Sequence, residues 1–156
     1  MIAIARRLHA GAQNVEFRVN ASNRLESIAS DSIDLVYTLL VLQHMAPRYI
    51  REYLAEFVRV LSPGGVLVFQ LPSDNALPIV IEGSGLKKIL PVPVISMIRK
   101  VRRLREFPRM EIHGLARGEV EALLASLGAP VLDVVDDRAH VADTPGFRYC
   151  AVKPVR

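Results

Sequence analysis

The stretch DSIDLVYTLLVLQHM, residues 31–45, decides the fold. Ile33 to about Leu40 reads as a buried strand, apolar except at Asp34 and Thr38. It leaves through Val41-Leu42 into a polar pair, Gln43-His44, just ahead of Pro47. In open α/β sheets, ligands sit at the C-terminal ends of the strands. A Gln-His pair at that end of so apolar a strand therefore marks a candidate site.

Downstream, Pro47 suits the first turn of a helix. Ile50, Leu54, Phe57, Val58 and Leu61 continue from it as a stripe at helical spacing. Arg48 and Glu52, four apart, are placed to pair on the exposed side, worth about 0.2–0.5 kcal/mol. SPGG (62–65) is expected to stop the helix and turn the chain. Pro63 blocks continuation, and Gly64-Gly65 can take the φ values of a tight reversal. VLVFQL (66–71) then reads as a second buried strand. ARGEVEALLASLG (116–128) is a helix with Val120, Leu123, Leu124 and Leu127 as its apolar face and Gly128 at the C′ position. PVLDVVDD (130–137) and FRYCAVKPV (147–155) read as two last strands, with HVADTPG as the hairpin-like loop between them.

Upstream, residues 1–12 look helical up to Gly11. NVEFRVN (14–20) alternates Val15, Phe17 and Val19 against Glu16, Arg18 and Asn20, the period of a strand. A polar loop follows, with RLESIA as a short helical turn inside it. Strands thus alternate with helices until two strands close the chain. That order implies an α/β fold with a mostly parallel sheet and an antiparallel final strand.

The 156 residues suit one domain, and 51% hydrophobic content can fill a core. A lone cysteine, Cys150, excludes an intramolecular disulfide framework and a multi-cysteine zinc site; its place in an apolar strand makes it a core residue. The N-terminus lacks the charge-then-apolar order of a secretory signal. No apolar run reaches the roughly 18–20 residues of a membrane span. A cytoplasmic protein is expected. The net charge of +4 is uneven. Leu86 to Met110 holds eight basic residues and one acid, Glu106, so the rest of the chain is net negative. Val94, Met97, Ile98, Val101, Leu104 and Phe107 recur there at helical spacing, which makes this a basic amphipathic helix. Localised basicity without interleaved aromatics argues against a nucleic-acid partner and for one anionic contact or a solvated face.

Three stretches together resemble class I S-adenosylmethionine-dependent methyltransferases of the broad small-molecule kind. DSIDLVYTLLVLQHM is similar to that family's fourth strand and the loop after it. YLAEFVRVLSPGGVLVFQLPS resembles its helix, Pro-Gly-Gly turn and fifth strand. IHGLARGEVEALLASLGAPVLDVVDD, with FRYCAVKP, resembles its last helix, sixth strand and antiparallel seventh. The resemblance implies a single Rossmann-like domain over residues 1–156, with residues 76–112 as a variable basic insert or lid. It implies S-adenosyl-L-methionine as cofactor and a small-molecule acceptor, with an anionic or lipid-linked acceptor, or a membrane surface, as candidate contact of the insert.

By the same resemblance, Asn20 and Ala21 end the third strand near the adenine. Thr38, Leu39 and Leu40 pass under the cofactor through backbone and apolar contact, and Gln43 and His44 face the reaction centre. Histidine is the side chain that exchanges protons near neutral pH, so His44 is the candidate base or acceptor-orienting group. His113, just after the insert, is the candidate on the acceptor side. The four histidines show no metal-ligand spacing.

The chain departs from the family at its start. No G-x-G-x-G loop is present, nor a second strand ending in an acid. The family order 3-2-1-4-5-7-6 would here lack strands one and two, about 50–60 residues by ordinary βαβ lengths. An N-terminally truncated domain is therefore expected. Four readings follow: a fragment, a missed upstream start, a gap filled by another polypeptide or copy, or strand three re-paired on strand four. Against the enzyme stands a non-catalytic remnant or partner subunit with the same fold.

Overall fold

The computed structural model describes residues 1–73, 112–137 and 145–155. In chain order these form α1 (Ile2–Leu8), β1 (Ile33–Thr38), α2 (Pro47–Val60), β2 (Leu61–Pro72), α3 (Arg117–Ser126), β3 (Val131–Asp136) and β4 (Gly146–Val152). A 3-10 turn, Leu42–His44, lies between β1 and α2. The four strands make one sheet in the order β1-β2-β4-β3. β1 and β2 run parallel, while β4 lies antiparallel between β2 and β3. This is the mixed α/β sheet with an antiparallel last strand that the element order implied.

Strand period explains which face is buried. On β2, Leu67, Phe69 and Leu71 point one way and Val66, Val68 and Gln70 the other. Register aligns Val36, Tyr149 and Ala151 with the first set. These residues form one core with Ile50, Leu54 and Val58 of α2 and Val120 and Leu124 of α3. Pro47 takes the first turn of α2, and the i, i+4, i+8 stripe of the helix is buried as its spacing requires. Each such side chain contributes about 1.5–3 kcal/mol on burial. Phe69 and Tyr149 stack with ring centroids 4.9 Å apart. On the opposite face, Leu35, Tyr37 and Val135 are exposed.

Three expectations change. NVEFRVN forms no strand: residues 15–20 join no ladder, and Val15 and Val19 are exposed. Arg6 instead donates to the Phe17 carbonyl at 2.8 Å, and Arg18 to the Ser27 carbonyl at 3.0 Å. Alternation defines two faces, but a strand also needs a neighbour, and none among the described residues lies beside it.

SPGG lies within β2 and not between helix and strand. Leu61 is already extended at φ −62°, ψ 132°, so β2 begins directly after α2. Ser62–Gly65 is a bulge, because register jumps from Ile33↔Leu61 to Leu35↔Val66. Gly64 has φ +82° and donates to the Lys153 carbonyl. At Gly65 a Cβ would lie 2.8 Å from the Ser62 carbonyl oxygen and 3.0 Å from that of Ile33, so only glycine fits.

Arg48 does not reach Glu52 but turns onto Tyr49, while Glu52 accepts from Asn23. Cys150 is half-buried. The basic amphipathic helix and most of the 140–146 loop lie outside the described residues. No helix among the described residues is long and apolar enough to cross a membrane.

Candidate functional site

The site is built where β1 ends. Thr38 closes the strand, Leu39 is half-buried, and Leu40 turns with φ +61°. A left-handed leucine costs roughly 1–2 kcal/mol. Such strain persists only where surrounding structure fixes it, and it clusters at ligand sites. The 3-10 turn then seats Leu42 and Gln43 inside and leaves His44 outside.

Gln43 is 5% exposed, yet its Oε1 has no hydrogen-bond partner among the described residues. Its Nε2 lies 3.4 Å from Nε2 of His44. A buried amide oxygen without a donor costs about 1–3 kcal/mol, and sites that bind ligands carry such atoms. The Gln43 carbonyl is occupied: the backbone N–H of His113 donates to it at 2.8 Å. Leu115 N–H likewise donates to the Pro72 carbonyl at 3.2 Å. Residues 112–115 therefore strap the exit of β1 to the end of β2, and bring His113 beside Gln43.

Across from this turn, α2 holds the loop that carries Asn20. Asn20 Nδ2 donates to the Ser22 carbonyl at 2.7 Å and to Tyr53 Oη at 3.1 Å. Tyr53 Oη in turn donates to the Ser22 carbonyl. Both amide hydrogens are thus engaged, and Oδ1 is left to accept. Asn23 Nδ2 donates to Glu52, and the Leu25 N–H donates to Glu56 at 2.7 Å. Arg59 bridges Glu56 to the carbonyls of Leu25 and Ile28 and to Ser30. The Arg59 guanidinium, helped by the Leu25 N–H and opposed by desolvation, holds the Glu56 carboxyl below its ordinary range.

Between loop and turn lies an open cleft of about 380 Å³. Ser22 and Asn23 form one bank, and His44, Met45 and Ala46 the other, with Tyr49 and Tyr53 of α2 lining it as well. The cleft combines two tyrosine rings and a methionine with the polar side chains of Ser22, Asn23 and His44. Of the residues singled out from sequence, His44 lines this cleft, Asn20 is bonded to one of its tyrosines, and Gln43 and His113 meet through a backbone hydrogen bond without lining it. Ala21 lies in the exposed loop beside Asn20, with only backbone to offer. Thr38, Leu39 and Leu40 form the strand exit without lining the cleft. Tyr49 and Tyr53 were not singled out; their i, i+4 spacing on one helical face was the available signal. No cluster among the described residues could hold a metal ion.

This topology is that of a Rossmann-like α/β fold of the class I methyltransferase type. Residues 1–69 match the family described as methyltransferase domain. A S-adenosylmethionine-dependent methyltransferase from Methanosarcina mazei superposes with TM-score 0.62 at 20% identity, over 99% of this chain and 78% of that one. The 1,6-didemethyltoxoflavin-N1-methyltransferase of Burkholderia thailandensis, solved with its substrate and S-adenosylhomocysteine, gives 0.59 at 14% identity, over 97% and 56%. A [4+2]-cyclase gives 0.63 at 15% identity, over 99% and 61%. The chain thus spans less than two thirds of the last two. At these identities the likeness establishes the fold, and the cyclase shows that this fold hosts more than one chemistry. No curated protein matches the chain in sequence.

Proposed function

We infer that the chain is a S-adenosylmethionine-dependent methyltransferase domain acting on a small-molecule acceptor. The observation that carries this is the cleft at the exit of β1, lined by His44 and by Tyr53, which holds Asn20, on the fold of known methyltransferases. The residues present fit the nucleoside side of the cofactor. Asn20 Oδ1 would accept from the adenine amino group, Ala21 would offer backbone, and the Thr38–Leu40 exit would pass under it with Gln43 behind. The bound cofactor supplies an electrophilic methyl carbon on its sulfonium.

The protein's part is then mainly orientation, because in-line transfer depends on placing the acceptor atom on axis. His44, at the lip of the cleft, would orient the acceptor or take its proton, and His113 would flank the acceptor side. A lipid-like or anionic acceptor would contact the basic segment Leu86–Met110. The competing reading is a non-catalytic methyltransferase-like subunit.

Titration calorimetry with S-adenosylhomocysteine separates the two. Saturable heat, weakened by Asn20→Ala, supports the enzyme reading. No heat at millimolar ligand contradicts it and leaves the subunit reading.

A further inference from the structure

An asparagine side chain can donate or accept, and a ligand reads whichever end is free. At Asn20 the neighbours settle which end that is. The Ser22 carbonyl can only accept, so the Asn20 atom 2.7 Å from it is the nitrogen. Tyr53 spends its single hydrogen on that same carbonyl at 3.0 Å, so towards Asn20 it can only accept, and it does so from Nδ2 at 3.1 Å. Both hydrogens of the amide are committed, and turning it over would set Oδ1 against the Ser22 carbonyl. The frame around it is fixed as well. Tyr53 packs on the core from α2, with its ring centroid 5.8 Å from that of Phe57. Ser22 is held by its own turn: Oγ donates to the Arg24 carbonyl at 2.9 Å and accepts from the Arg24 N–H at 3.2 Å.

We propose that Tyr53 is a specificity-determining positioning residue. By holding Nδ2 of Asn20 it leaves Oδ1 as the one group the amide offers, so the site selects a 6-amino purine nucleoside over its 6-oxo counterpart. This rests on the cofactor reading given above and adds to it the residue that sets the choice of base. Adenine presents an amino donor at its six position, which Oδ1 accepts. A 6-oxo purine presents an acceptor there, and the two oxygens repel. An asparagine free to turn would serve either base, because its NH2 end could answer the 6-oxo group. Discrimination of this kind depends on a polar group that cannot re-pair, and the Tyr53 hydroxyl supplies one of the two bonds that prevent it from doing so.

Titration calorimetry on the full chain with S-adenosylhomocysteine and S-inosylhomocysteine tests this, for the native protein and Tyr53→Phe. The variant keeps the ring and its packing and removes only the hydroxyl. The native chain should bind the adenosyl ligand about tenfold or more tightly than the inosyl one. In Tyr53→Phe that ratio should fall by about two- to tenfold, the worth of one hydrogen bond, chiefly through tighter inosyl binding. A merely structural role for Tyr53 would weaken both ligands together and leave their ratio unchanged. A native chain that binds both ligands equally, or a Tyr53→Phe variant that keeps the native ratio, overturns the proposal and leaves the cofactor reading standing. A native chain that binds neither ligand overturns the cofactor reading itself, and this proposal with it.

Discussion

Gly114→Ala tests the strap that joins the two strand ends. At Gly114 a Cβ would lie 2.8 Å from the Pro72 carbonyl carbon and closer still to its oxygen. Both are backbone atoms of β2, so no rotamer relieves the contact. The segment must move away from the sheet. That movement strains two hydrogen bonds, Leu115 N–H to Pro72 and His113 N–H to Gln43, and unseats Ile112 and Leu115, each 1% exposed. Overpacking of this kind costs about 1–3 kcal/mol and a weakened hydrogen bond about 0.5–1.5, giving a loss of about 3 kcal/mol. For a domain of this size that is roughly 6–12 °C in Tm. Thermal and urea denaturation followed by circular dichroism measure it. Gly118→Ala is the control: it sits in α3 with nothing within 4 Å of the added methyl. It should be neutral or stabilising by up to about 1 kcal/mol. A Gly114→Ala protein melting as the native one does would refute the strap as a fixed part of the site.

Glu56→Gln should lower stability by about 1 kcal/mol at neutral pH, since it weakens a charge-assisted clamp on the 22–30 loop. The folded Glu56 carboxyl lies below its ordinary value of 4.5. Its contribution is therefore complete above that pH and lost as pH falls through the folded value. Urea midpoints of native and variant should converge on acidification; a constant gap would exclude the clamp. Tyr149 is pushed up to about 12 by burial, with the Glu121 charge adding to it. The folded state thus holds this proton more tightly, and stability should fall as pH rises from 10 toward 12. In Tyr149→Phe that fall should flatten. At neutral pH the variant should match or slightly exceed the native chain, because the buried hydroxyl has no hydrogen-bond partner among the described residues. Lys153→Met removes three donations, to Asp31 and to the carbonyls of Val58 and Leu61. It should cost about 2 kcal/mol, read as a lower urea midpoint, by leaving two carbonyls unsatisfied where α2 becomes β2.

The parts of the fold legible in sequence were those in which one local rule suffices. Pro47 and the Ile50-Leu54-Val58 stripe define α2 by period alone, and the apolar runs define β1 and β2. Residues 15–20 were misread because a strand also requires a neighbour, and periodicity carries no information about one. SPGG is legible as a tight kink from its proline and glycines, but that it falls inside β2 follows only from the pairing of β1 with β2. In the site, Gln43 and His44 were legible as a polar break at the end of an apolar strand. The clamp of Glu56 and Arg59 was not, since it joins residues about thirty apart in sequence through backbone carbonyls that every residue has. The Gln43–His113 contact was hidden likewise, because it is a backbone bond across 70 residues.

The central claim is that the exit of β1 and the loop held by α2 form the nucleoside side of a cofactor site. Amide chemical-shift mapping of the full chain during titration with S-adenosylhomocysteine tests it most directly. Shifts confined to residues 20–23, 38–49 and 53 are expected, with His113 following through its bond to Gln43. Shifts gathered on the open sheet face or the α3 surface, or none at millimolar ligand, would contradict it.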